Sequence, residues 1–91
     1  MSTLKDEDII KIAQDVAQEN NIPAAAISTT AALDNSGLPL VVVTVSIAPG
    51  SSFDFFRDGR SSRMISDVIK KVADTGEERL PIIHFEDQRA P

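Results

Sequence analysis

The chain has 91 residues, of which 42% are hydrophobic and 25% charged, and this composition is typical of one soluble globular domain. A chain this short buries a small core, so we expect no large enclosed active-site cavity and some stabilisation by self-association or a partner. Nine basic and fourteen acidic residues give a formal net charge of −5, which disfavours nucleic acid as a partner. The absence of cysteine excludes disulfides and every cysteine-based metal site.

No stretch of the sequence has the pattern of a membrane or export segment. The longest apolar run, residues 38–48, is shorter than the roughly 18 apolar residues that indicate a transmembrane helix. The first residues contain no basic region followed by an apolar one, so no secretory signal is predicted. We therefore predict a cytoplasmic protein that does not bind membranes.

The first predicted element is an amphipathic helix over residues 3–20. Its apolar residues recur at intervals of three and four, which places them on one helical face. Ser2 or Thr3 is expected to cap the helix, and the acidic run 6–8 places negative charge in its first turn. Pro23 follows its predicted end.

A β-hairpin is predicted next, with arms over residues 27–33 and 38–47. The residues between the arms, 34–37, are turn formers and include a glycine that tolerates positive φ. The second arm has the clearest alternation in the chain. One of its faces contains Val41, Val43, Val45 and Ile47, and the other contains Val42, Thr44 and Ser46.

The aromatic stretch 51–59 is compatible with one helical turn or with an ordered loop. A second amphipathic helix is predicted from Ser61 or Ser62 to Thr75, because apolar residues again recur at helical spacing. Gly76 is placed to cap its C-terminal end.

A short strand over 81–85 and a loose tail over 87–91 complete a single domain. The order α-β-β-α-β predicts an α+β fold, a two-layer sandwich in which two helices cover one face of a three-stranded sheet. The right-handed crossover rule places the second helix over the face that contains Val41, joined there by Ile83 and Phe85. The opposite face is predicted to be open, with Ser28, Thr30, Val42, Thr44, Ser46, Ile82 and His84 on it.

This order of elements resembles that of type II KH-like domains and small ribosome-associated factors. The resemblance implies a nucleic-acid-binding or ribosome-associated function. The KH signature is a G-x-x-G loop that joins two helices. The nearest stretch here, Gly59-Arg60-Ser61-Ser62, lacks the second glycine, so no motif identifies a family.

Three arginines, Arg57, Arg60 and Arg63, lie three residues apart where the second helix begins. The N–H groups of a helix N-terminus, with guanidinium groups and the hydroxyls of Ser61 and Ser62, can bind a phosphate or a carboxylate. The alternative is a serine-capped helix whose arginines are solvated or paired with acidic neighbours. We predict these five residues as an anion- or partner-binding site and keep the alternative open.

The phenylalanines are a second candidate for contact with a partner. Three of the four lie at 53, 55 and 56, and the chain has no tryptophan or tyrosine to fill its core. We therefore expect Phe53 or Phe56 to be buried and Phe55 to be the exposed ring that contacts a partner.

The single histidine, His84, is predicted on the open sheet face. A general base needs an orienting carboxylate and a nucleophile, and a metal needs more ligands than Glu86 can add. We therefore predict no catalytic residue and no metal there, and we assign His84, Thr44 and Ser46 to partner binding on this face.

The sequence contains no nucleophile with a base, no metal-ligand cluster and no dinucleotide or P-loop motif, so we predict neither an enzyme nor a cofactor. We expect an acidic protein–protein interaction module that forms a homodimer or binds another protein, through its open sheet face or an edge strand. One alternative is a KH-like nucleic-acid or ribosome-associated factor that uses Arg57, Arg60 and Arg63. Another is a regulatory domain that binds a small anionic ligand at the same three arginines.

Overall fold

The computed structural model describes residues 4–87 and confirms the predicted small α+β fold. The order of elements is as predicted, with one addition: a single-turn helix precedes the second long helix. The elements are α1 (Asp6–Glu19), β1 (Ala24–Leu33), β2 (Pro39–Ile47), α2 (Asp54–Arg57), α3 (Arg60–Asp74) and β3 (Leu80–Asp87). Within residues 4–87, no helix combines the length and the apolar character needed to cross a membrane.

The three strands form one mixed sheet in the order β1-β2-β3, so β1 and β3 are its edges. β1 and β2 are an antiparallel hairpin in which Ile27 pairs with Val45 and Leu33 pairs with Pro39. β2 and β3 are parallel, with Val43 beside Ile83, because the chain crosses over the sheet through α2 and α3 between them.

One face of the sheet is covered by α1 and α3, as the alternation in β2 predicts. Val41, Val43, Val45 and Ile47 are at most 1% exposed. They form one core with Phe55 of α2 and with buried apolar residues of α1 and α3, which include Ile9, Val16, Met64, Val68 and Val72. Among residues 4–87, no helix lies on the other face, which is open as predicted.

The predicted start of the first helix and the predicted end of the last strand need correction. α1 begins at Asp6 rather than at residue 3, and its N-cap residue, Lys5, makes no side-chain cap. The predicted caps, Ser2 and Thr3, lie outside the described residues. Asp87, which the sequence places in the tail, is the last residue of β3, and the rest of the predicted tail lies outside the described residues.

A buried ion pair joins the segment before α1 to the loop before β3. The Glu77 side chain is 2% exposed and accepts hydrogen bonds from the backbone amides of Leu4 at 2.8 Å and Arg79 at 2.9 Å. The Arg79 guanidinium donates to Glu77 at 3.2 Å and to the Leu4 carbonyl at 3.0 Å, and it lies 3.5 Å from Asp6. The side-chain hydrogen bond from Arg79 is the largest of the effects that lower the pKa of Glu77 to about 2. The pair is therefore ionised at neutral pH.

The four phenylalanines form one aromatic cluster, and the prediction of an exposed Phe55 is wrong. Phe55 is fully buried, with its ring centroid 4.3 Å from that of Phe56 and 5.8 Å from that of Phe85. The exposed ring is Phe56, at 47%, while Phe53 is half-buried. The cause is the single turn of α2, which directs residue 55 into the core and residue 56 outward. A fully buried Phe55 has no surface to offer a partner in this fold.

Candidate interaction surface

The open face of the sheet has an apolar half. Leu40 of β2 lies beside Leu80 of β3, and Val42 lies beside Ile82. Leu80 is 47% exposed and Ile82 is 40% exposed, while Leu40 and Val42 are half-buried. We call these four residues the apolar sheet end. Burying such side chains is favourable at roughly 25 cal/mol per Å² of apolar surface, so their exposure is the most notable feature of this face.

The other half of the open face is polar and contains the predicted partner-binding residues. Thr44 lies beside His84, and Ser46 lies beside Glu86 in the β2–β3 register. Their placement on the open face is confirmed, and their role in partner binding stays a prediction. Within residues 4–87, no cluster of three or more His, Asp or Glu side chains could hold a metal ion.

Two further exposed leucines flank the β1–β2 turn. Leu33 is 69% exposed and Leu38 is 61% exposed. Asp34 orders this turn by accepting hydrogen bonds from the Leu38 amide at 2.9 Å and from the Ser36 amide and hydroxyl, both at 2.8 Å. These bonds, led by the one from Leu38, lower the pKa of Asp34. The leucines are therefore presented by an ordered turn, in which Gly37 adopts a φ of 87° that favours glycine.

The outer edge of β1 offers hydrogen-bonding groups instead of apolar side chains. The Asp34 amide donates to the Leu38 carbonyl at 2.9 Å, and bonding alternates along an antiparallel pair. The backbone groups of Ile27, Thr29, Ala31 and Leu33 therefore point away from β2. In the part of the chain that the structure describes, no hydrogen bond satisfies them.

A groove of about 260 Å³ lies between α1 and the first half of β1. It is lined by uncharged side chains. The lining consists of Gln14, Ala17, Gln18, Ile22 and residues 24–27. The second cavity, of about 120 Å³, is a small notch beside the exposed ring of Phe56.

The structure assigns different roles to the three predicted arginines. Arg60 donates to Asp58 at 2.8 Å and to the Asn21 carbonyl at 2.8 Å, so it joins the start of α3 to the loop between α1 and β1. The side chains of Arg57 and Arg63 are exposed and make no hydrogen bond or ion pair within residues 4–87.

The N-terminus of α3 already has a carboxylate beside it. Asp58 accepts a hydrogen bond from the Arg60 amide at 3.1 Å, and Gly59 is the N-cap residue with a φ of 89°. Burial acts to raise the pKa of Asp58, but the hydrogen bonds from the Arg60 amide and guanidinium outweigh it, and the pKa is lowered. Of the predicted serines, Ser61 is buried and Ser62 is exposed, and neither caps the helix. Anion binding by these five residues stays a prediction, and an incoming anion would meet the charge of Asp58.

Comparisons with protein-family models, with curated proteins and with solved structures find no match for this chain. Three exposed leucines were not predicted from the sequence: Leu80 of the apolar sheet end, and Leu33 and Leu38 beside the β1–β2 turn. A signal was available, since each of the three lies directly beside a turn or at the first position of a strand.

Proposed function

We propose that this chain is a protein–protein interaction module whose contact surface is the apolar sheet end. The observation that carries the proposal is the exposure of Leu80 and Ile82 on a sheet whose other face is closed by two helices. A small domain gains little from apolar side chains that remain in water. Exposed side chains of this kind, gathered in one region, are typical of protein contact sites.

The net charge of −5 supports a basic protein as the partner. Charge of one sign raises the rate of encounter with a surface of the opposite sign, whereas burial of apolar surface holds the complex together. The proposed partner thus presents an apolar patch with basic residues around it.

The double substitution L80T/I82T tests the proposal. Threonine is β-branched, which strands favour, and it removes most of the apolar surface of both side chains. The matched control is S28T, which also introduces threonine on the open face, but in the polar half, where the exposed Ser28 pairs with Thr44. We expect a tagged chain isolated gently from its own cells to retain partners in the wild type and in S28T, and to lose them in L80T/I82T.

The absorbance of the purified complex identifies the class of partner. The chain contains no tryptophan and no tyrosine, so a strong band at 280 nm comes from a bound protein and one at 260 nm from a nucleic acid. Equal retention of protein partners by the wild type and both variants would contradict the apolar sheet end as the contact surface.

A second candidate function is nucleic-acid binding, and the junction between α2 and α3 favours it. Two helices are joined there through Gly59 in a left-handed conformation, and β2 and β3 lie parallel on either side of the crossover. This junction supports the KH-like alternative, because KH domains clamp the nucleic-acid backbone with a glycine-containing loop between two helices, although the second glycine of that G-x-x-G loop is absent here. The negative net charge of the chain and the carboxylate of Asp58 at this junction disfavour the binding of nucleic acid.

The two exposed arginines provide the test of this second function. Two phosphate contacts by Arg57 and Arg63 would make log K fall with log salt concentration at a slope of about −1.4 to −1.8. We expect R57A/R63A to abolish that slope if this function is correct. The function would be ruled out if the wild type did not bind single-stranded RNA. It would also be ruled out if R57A/R63A bound this RNA in the same way as the wild type.

A further inference from the structure

The outer edge of β1 is an unprotected site for strand pairing. The ten residues Ala24–Leu33 contain no charged residue, no proline and no glycine. Natural proteins protect exposed edges with lysine, proline, bulges or a covering element. β1 has a single irregularity at its start, between Ala24 and Ala26, and the outward backbone groups from Ile27 to Leu33 follow it. The hydrogen-bonding chemistry of this edge fits another β-strand.

Leu33 and the groove beside α1 lie on the same side of the sheet. Ile27, Thr29, Ala31 and Leu33 share the face of Val45, Val43 and Val41, which is the face that the helices cover. α1 reaches Ile27, where the groove lies, but leaves Leu33 69% exposed. One end of the β1 edge therefore has an open, uncharged groove, lined by Ile22, Ile27 and alanines together with Gln14 and Gln18, and the other end has an exposed apolar side chain.

We propose that β1 pairs antiparallel with β1 of a second copy of this chain, which joins the two sheets into one of six strands. The pairing has a two-fold axis at Thr30, so Leu33 of each copy lies opposite Ile27 of the other. Each Leu33 then packs against the other copy's groove. This surface is separate from the apolar sheet end, and the proposal does not depend on the function proposed above.

The symmetry of the two features favours a second copy over an unrelated strand. Ile27 and Leu33 are roughly 20 Å apart along the strand, so a two-fold axis midway between them buries both leucines and both grooves at once. The pairing supplies up to about eight backbone hydrogen bonds, from the outward groups of residues 27, 29, 31 and 33.

The distribution of charge is compatible with this dimer. Each copy has a net charge of −5, yet the edge strand and every residue that lines the groove are uncharged. In this register Asp34 of one copy lies opposite Ala26 of the other, so the two Asp34 side chains are far apart. The copies therefore meet through their neutral sides.

The substitution A31P tests the pairing. The Ala31 amide points away from β2, so proline there removes no hydrogen bond of the β1–β2 ladder but blocks the outer edge. The matched control is A31S, which keeps the amide. We expect sedimentation equilibrium to give about 20 kDa for the wild type and A31S, twice the 9.8 kDa of one chain, and 9.8 kDa for A31P. Circular dichroism checks that A31P keeps the fold.

A second variant decides the question if A31P does not fold. L33K changes a side chain that is already exposed in one copy and places a charge in the proposed contact, so we expect it to be a folded monomer. A wild type that stays at 9.8 kDa over a wide concentration range would overturn the proposal. So would a dimer that persists in folded L33K. A dimer that L80T/I82T dissociates and L33K does not would also overturn it, and would assign self-association to the apolar sheet end.

Discussion

At the scale of single residues, the Glu77–Arg79 ion pair joins two parts of the chain that are far apart in sequence. Glu77 accepts a hydrogen bond from Leu4, 73 positions away, while Arg79 donates to the carbonyl of the same residue. Both backbone groups of Leu4 are thus bonded just before α1 begins. The contact therefore fixes the position of the chain directly before α1, whose N-cap residue, Lys5, makes no side-chain cap.

We predict that E77Q destabilises the protein. The substitution keeps the shape of the side chain but removes the negative charge opposite a guanidinium that is itself only 16% exposed. Charge-assisted hydrogen bonds of this kind contribute about 2–3 kcal/mol, so we expect the free energy of unfolding at pH 7 to fall by about that much. Urea unfolding followed by circular dichroism measures the change.

The Glu77–Arg79 pair also makes the stability of the protein depend on pH. The pKa of Glu77 is about 2 in the folded protein and 4.5 without its partners, so folding favours the ionised form. The stability that Glu77 contributes is fully present above about pH 4.5 and is lost as the pH falls towards 2. The difference in free energy of unfolding between the wild type and E77Q should therefore shrink over that interval. A difference that stays constant from pH 5 to pH 2.5 would contradict this account.

At the scale of elements, α2 decides which phenylalanine belongs to the core. We predict that F55A lowers the free energy of unfolding by about 3–5 kcal/mol, because it empties a fully buried position. F56A is the control. It removes a ring that is already 47% exposed, so we expect a loss of about 1 kcal/mol. Thermal unfolding followed by circular dichroism compares the two, and an equal loss in both variants would show that α2 does not direct residue 55 inward.

The strands and the long helices could be predicted from the sequence because their patterns are local. The alternation from Val41 to Ile47 matches the period of a strand with one covered face, and the structure confirms which face that is. The core positions of α3 were equally evident, since Met64, Val68 and Val72 recur four apart.

The parts that could not be predicted depend on contacts between distant segments. Phe55 and Phe56 are adjacent, and only the position of α2 relative to Phe85 decides which ring is buried. The contact from Glu77 to Leu4 has no periodic signal in the sequence. The arginines were located correctly near a helix N-terminus, but the bond from Arg60 to the Asn21 carbonyl spans 39 positions. That bond gives Arg60 a structural role, which spacing alone does not indicate.

At the scale of the whole molecule, the two faces of the sheet differ in what covers them. The helices close one face of the sheet, and the other face remains open with an apolar half and a polar half. A dimer through β1 would leave this open face free and would place two apolar sheet ends on one side of a six-stranded sheet. A partner with two binding sites would then be held more tightly than one with a single site, because the second contact forms within the same complex.

The proposed function requires the apolar sheet end to bind another protein. Size-exclusion chromatography with light scattering and a full ultraviolet spectrum, applied to the tagged chain isolated from its own cells, tests this requirement. We predict a complex heavier than a dimer, with a band at 280 nm that this chain cannot supply, and we predict that the band disappears in L80T/I82T and persists in S28T. A peak that contains only this chain, or one with a band at 260 nm in its place, would contradict the proposed function.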